Sequence, residues 1–220
     1  MEAPLDRLHA RARGWFPLQR LAITCRILLA LAFVPTALVK VQGLPFTVMG
    51  TDTPVGYFFD AMHRTGGYWR FIGWAQLLAG ALLLLPRTAL VGAILFFPIV
   101  INIFVITVAL GFQGTPFITG PMVLAALFLL CWDYHRLKPI LVPGTRAIGP
   151  VPAGVPVGRL ELAGYVTVTV AGLVVLAATR SLVPPGVTRP GLLAGAAGAL
   201  MVLAGWLSAL RRPAAAAAAG

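Results

Sequence analysis

Charge is what this chain has least of. Only 10% of its 220 residues are Asp, Glu, Lys or Arg, six of them acidic, while 59% are hydrophobic. A soluble domain carries roughly a quarter of its residues charged, so a soluble globular fold is excluded. The stretch from Thr88 to Trp132 holds no Asp, Glu, Lys, Arg or His at all. Cysteine is also scarce. Cys25 and Cys131 are too few for a disulfide scaffold, lie in different apolar runs and form no CxxC. They could approach as a redox pair, although a buried Cys more often serves as a small apolar side chain. His9, His63 and His135 fall in three separate segments without paired-ligand spacing, so no metal or haem site is expected. No Ser-His-Asp set, P-loop or dinucleotide fingerprint is present.

What is there is apolar helix. Mean hydropathy is +0.91, and the apolar runs are long enough for a bilayer, which takes about 20 helical residues. Residues 1–20 contain Asp6 and scattered arginines, and no small-residue cleavage site follows the first run, so a secretory signal peptide is not expected. The pattern predicts an all-α polytopic membrane protein with six spans, near 20–42, 68–86, 88–112, 118–138, 160–179 and 191–210. The uncharged stretch 88–132 would be about 68 Å long as one helix, against a hydrocarbon core of about 30 Å. It must fold back, at "GFQGTPFITGP" (111–121). In the loop 43–67, Thr53 and Pro54 fit an N-cap and first helical position. Val55, Phe58, Phe59 and Met62 then follow at helical spacing. A short amphipathic surface helix is one reading of that loop, and an irregular apolar loop packed on the bundle is the other.

Residues 139–158 hold five prolines and read as a linker. The organisation expected is a basic segment 1–19, a four-span bundle 20–142, a linker 143–158, a transmembrane hairpin 159–212 and a disordered tail 213–220. Gly191, Gly195 and Gly198 give the hairpin a small-residue face, suited to docking on its own bundle or on a partner.

The net charge of +11 suits basic loops on the cytoplasmic side better than nucleic acid. With six spans and the N-terminus inside, Arg7, Arg11, Arg13, Arg20, Arg87, Arg136, Lys138, Arg146, Arg159, Arg211 and Arg212 are cytoplasmic. Arg64, Arg70, Arg180 and Arg189 lie opposite. Eleven against four places both termini in the cytoplasm; the membrane expected is a bacterial-type inner membrane.

Ionisable groups inside spans are costly and by default functional or paired. Arg26 and Lys40 sit at opposite ends of one face of the first span. The fourth span brings Asp133 to the depth of Arg26, where a carboxylate can neutralise the guanidinium. That pair reads either as a redox or proton site or as a structural clamp between the first and fourth helices. Trp132 and Tyr134 beside it read as interfacial anchors. Gln76 and Asn102 lie near the middle of the second and third spans, and Pro98 should kink the third. With Lys40 they form a candidate polar pocket for a quinone headgroup or small substrate; the alternative is an interhelical hydrogen bond.

"RILLALAFVPTALVKVQGLPF" (26–46), "GWAQLLAGALLLLPRTALVGAIL" (73–95), "VINIFVITVALGF" (100–112) and "WDYHRL" (132–137) together resemble the DoxX family of small membrane proteins, over residues 20–140 or so. The resemblance implies a four-helix membrane bundle. It also implies association with thiosulfate:quinone oxidoreductase, with complexes answering oxidative stress or, in related animal proteins, with receptor assembly. Three features depart from the family pattern. Pro35 and Ala37 stand where members often have Gly before the Lys, Gln76 stands where many carry Glu, and the hairpin 159–212 has no counterpart. The function expected is a non-catalytic accessory or assembly subunit of a membrane complex, with another integral membrane protein or a second copy as partner. No resident cofactor is expected, with quinone the candidate ligand. A quinone-reactive oxidoreductase subunit is the alternative. A small-molecule transporter comes third, because the spans divide four and two rather than into equal repeats.

Overall fold

The computed structural model describes residues 4–142 and 154–218, with side chains as far as Arg211. Among these residues the chain is helical throughout, in two units that meet within the expected linker: Met1–Ala153 and Gly154–Gly220. The first contains α1 (Pro4–Gly14), α2 (Phe16–Val41), α3 (Pro54–Arg64), α4 (Gly67–Leu84), α5 (Ala89–Ala109), α6 (Pro116–Trp132) and α7 (Tyr134–Leu141). The second contains α8 (Arg159–Thr179) and α9 (Thr188–Ala218), joined through a short 3-10 turn at Pro185–Val187.

In the first unit α2 packs on α4, α4 on α5, α5 on α6, and α6 returns to α2. This closes a four-helix ring. Its centre is filled by Leu29, Phe33, Ala79, Leu83, Ala93, Phe96, Val100, Ala126 and Leu129, with the Phe33 and Phe96 rings stacked at 3.9 Å. Close approach of α2 and α4 depends on glycine. A Cβ at Gly73 would lie 2.8 Å from the Val41 nitrogen, and one at Gly80 would lie 2.9 Å from a Val34 methyl. The α5–α6 reversal falls where the glycines predict it: Gly111 and Gly114 adopt φ of 61° and 79°, a region most residues avoid. The ring's outward faces expose Leu28, Trp74, Leu78, Val91, Val105 and Leu124.

α3 forms as its spacing predicts. Thr53 Oγ1 accepts the Gly56 N–H at 3.0 Å, and Pro54 follows at the first helical position. Val55 is buried, and Phe59 contacts Phe46 and Phe112.

Four helices are long and apolar enough to cross a membrane: α2, α5, α8 and the segment Pro185–Arg211; α6 with α7 makes a fifth if that bent pair counts as one span. These mark a multi-pass membrane protein. The expected count of six is not reached on length and hydropathy. α4 falls outside the set, because Arg70, Gln76, Tyr68, Trp69 and Trp74 dilute its 18 residues. The fourth span is also shorter than 118–138. It stops at Trp132, and α7 leaves at 77°.

Three further expectations change. The N-terminal basic segment contains a helix, α1, and α2 begins at Phe16 because Pro17 starts it well. α7 continues through Pro139 into the region read as linker; residues 143–153 lie outside the described ones. The alanine tail, read as disordered, continues α9 to Ala218, in keeping with alanine's helix propensity.

The hairpin uses its glycines internally. A Cβ at Gly164 would lie 2.7 Å from the Gly198 oxygen, and one at Gly205 would lie 2.6 Å from Glu161 Cβ. The small-residue face expected to dock elsewhere is therefore the α8–α9 interface itself. Tyr165 Oη accepts the Trp206 indole N–H across it at 3.3 Å.

Candidate functional site

At one end of the first unit, α1 crosses the junction of α6 and α7. Asp133 is that junction. Its backbone (φ −98°, ψ 21°) ends α6, and its carbonyl accepts the Arg136 N–H at 2.9 Å to start α7. Its side chain caps neither helix, so the carboxylate remains available. Oδ2 lies 3.7 Å from Arg26 Nη2 on α2, and Oδ1 lies 3.9 Å from Arg13 Nη1 on α1. One buried acid thus bridges two guanidinium groups whose side chains are only 17% and 22% exposed. Such a bridge offsets a desolvation cost that either arginine alone would leave uncompensated.

Two more contacts hold α1. Lys138 Nζ donates to Asp6 Oδ2 at 2.7 Å and Oδ1 at 2.9 Å. His9 Nε2 lies 3.1 Å from the Trp132 carbonyl oxygen; a carbonyl only accepts, so Nε2 carries the proton. The Arg13 guanidinium also covers the Trp132 ring at 4.5 Å. Trp132 is accordingly buried rather than an exposed interfacial anchor.

α1 and α7 lie outside the apolar spans, and their titrations are set locally. Burial lowers the Arg13 pKa, Asp133 opposes that, and Arg26 and Arg136 add to the lowering. Burial also lowers His135, as do Arg13, His9 and Arg136, against a raising influence from Asp133. The hydrogen bond to Asp6 holds Lys138 above its ordinary value.

The histidines do not remain in three separate places. His9 and His135 come together with ring centroids 5.4 Å apart. His63 sits in another part of the unit, with Nε2 2.9 Å from the Gly43 oxygen. Among the described residues no three His, Cys, Asp or Glu side chains form a group able to hold a metal.

The candidate pocket of Lys40, Gln76 and Asn102 is not assembled as one site. Lys40 is buried, its ammonium 4.7 Å from the Phe46 ring and 5.4 Å from Trp69, donating to the Thr36 carbonyl at 3.3 Å. Gln76 is buried on the face of α4 that carries Gly73 and Gly80, and its Oε1 has no hydrogen-bond partner among the described residues. Asn102 is exposed. At 100° per residue it lies about 200° from Val100, which faces the core. The cysteines do not pair either: Cys25 is in the core and Cys131 is exposed.

Arg13, Asp6 and His9 escaped the sequence reading. Their signal was there, since positions 6, 9 and 13 share one helical face, but that face is polar and points inward.

No family model matches the chain. Over 98 residues it is 35% identical to a protein of Bacillus subtilis (strain 168) described as the uncharacterized protein YwoB, a match covering 44% of this chain and 57% of that protein. The chain thus spans little more than half the length of that relative. No solved structure matches.

Proposed function

We propose that this DoxX-like multi-pass protein is an accessory or assembly subunit that binds another integral membrane protein in a quinone-linked complex of a bacterial-type inner membrane. The observation that supports this reading most is the outward placement of Asn102. It stands on the face of α5 that also exposes Ile101, Val105 and Val108. An amide facing lipid gains from a hydrogen bond to a neighbouring helix. The charges at the α1 junction meanwhile pair with one another, Lys138 with Asp6 and both Arg13 and Arg26 with Asp133, as a clamp requires.

A photo-crosslinker placed at position 102 of the full chain, in native membranes, should capture one dominant membrane partner. Asn102→Ala should reduce co-purification of that partner without changing the chain's own thermal stability. Crosslinks to lipid alone would remove the reading.

In the proposed topology α2, α4, α5, α6, α8 and α9 are the six spans, with both termini cytoplasmic. The place of α4 in the ring, flanked by α2 and α5, supports counting it. Reporters fused near Thr51 and after Gly220 should then label opposite sides. A quinone-reactive subunit is the second reading, favoured by the buried Gln76 oxygen, which could accept a hydroquinone hydroxyl. Quinone retained stoichiometrically by the purified chain, and lost in Gln76→Leu, would favour it.

A further inference from the structure

α1 has its polarity reversed. Asp6, His9 and Arg13 face the rest of the unit, whereas Leu5, Leu8 and Trp15 at its end are more than half exposed. Arg7 and Arg11, one turn apart, are exposed as well. Bundle packing does not call for an outward apolar face. α7 lies beside α1, tied to it by Lys138 and Asp6, and exposes Arg136, Ile140 and Leu141. Because α7 turns 77° away from α6, it runs close to the plane of any membrane that α6 crosses.

Among the described residues neither helix offers a free acid: Asp6 is taken by Lys138, and Asp133 between them is taken by Arg13 and Arg26. Two short helices thus present apolar side chains together with three exposed arginines. Interfacial helices that dock on anionic lipid have this composition.

We propose that α1 and α7 form one platform that lies in the headgroup layer and recognises anionic lipid through Arg7, Arg11 and Arg136. The proposal rests on the membrane-spanning reading of α2, α5 and α6. Each arginine near an anionic surface is worth about fivefold in the docked-to-undocked ratio.

Amide hydrogen exchange of the full chain in nanodiscs tests it, comparing phosphatidylcholine alone with a phosphatidylcholine–phosphatidylglycerol mixture. Amides of 5–14 should be protected about a hundredfold in the anionic discs, about fivefold for each of the three arginines. Arg7→Gln combined with Arg11→Gln should reduce that protection by a factor of about 25. High salt should do the same, and inorganic phosphate added to neutral discs should not reproduce the effect. Equal protection in both lipids, or a double variant that keeps the difference, would overturn the proposal. The amides of α2 and α5 serve as the control. Slow exchange there in both discs upholds the spanning reading whatever α1 does, and fast exchange there would sink that reading instead.

Discussion

Replacing Asp133 with Asn leaves Arg13 and Arg26 facing each other across a neutral amide, both still mostly buried. The expected loss is about 3 kcal/mol, the low end for a buried pair that loses one partner, read as a lower unfolding temperature in mild detergent. Asp52→Asn, at an exposed position, should change almost nothing. An Asp133 variant as stable as Asp52→Asn would mean that the bridge contributes no stability. His135 gives the junction a pH dependence whose sign follows from its surroundings. Burial and Arg13 favour the neutral ring, so its folded-state pKa is lowered. Its stabilising contribution is therefore complete above the ordinary imidazole value of about 6.5 and is lost as pH falls through the lowered value. Amide protection factors in α1, taken against the intrinsic exchange rate at each pH, should fall on acidification across that window, and His135→Gln should flatten the response. Pairing of Arg26 with a carboxylate at its own depth was readable from position along the helices. Arg13 as a second partner was not, because recognising it requires knowing that residues 4–14 are a helix folded back over the junction.

Between elements, contact is set by where glycine permits it. Gly164→Ala pushes a methyl against the Gly198 oxygen and the Val202 nitrogen, at 2.7 and 2.8 Å, both fixed backbone atoms. It should cost about 1–3 kcal/mol. Gly195→Ala meets only the Ala171 methyl at 3.8 Å, an ordinary contact, and should gain up to about 1 kcal/mol from helix propensity. Thermal unfolding of the two variants should move in opposite directions; the same direction for both would deny the glycine interface. The legibility of each element follows from similar physics. α3 was one of two readings of its loop, carried by Thr53, Pro54 and the apolar spacing of Val55, Phe58, Phe59 and Met62. α5 is apolar on every side, so nothing in its sequence says which face turns inward, and Asn102 was placed in a pocket it does not line. α1 was missed for the opposite reason, its apolar face being the outer one.

At the scale of the whole chain the division at Ala153–Gly154 carries its own expectation. A chain ended at Ala153 should still insert and keep the α1 amides as protected as in the full protein. Partner co-purification should fall, because the hairpin's leucines at 192, 193, 200 and 203 expose apolar surface that would be lost. Failure of the shortened chain to insert would make the two units one obligate fold; unchanged co-purification would assign partner contact to the first unit alone. The bridge at Asp133 also sets a schedule. Arg13 and Arg26 are made early, and Asp133 follows Arg26 by about a hundred residues. At about 5–20 residues per second, the two arginines wait roughly 5–20 s for their carboxylate, through the synthesis of α3, α4, α5 and α6. Until then α1 has neither the Trp132 carbonyl nor Lys138 to hold it. The junction therefore closes last in the first unit, and its closure reports that all four helices of the ring have been delivered.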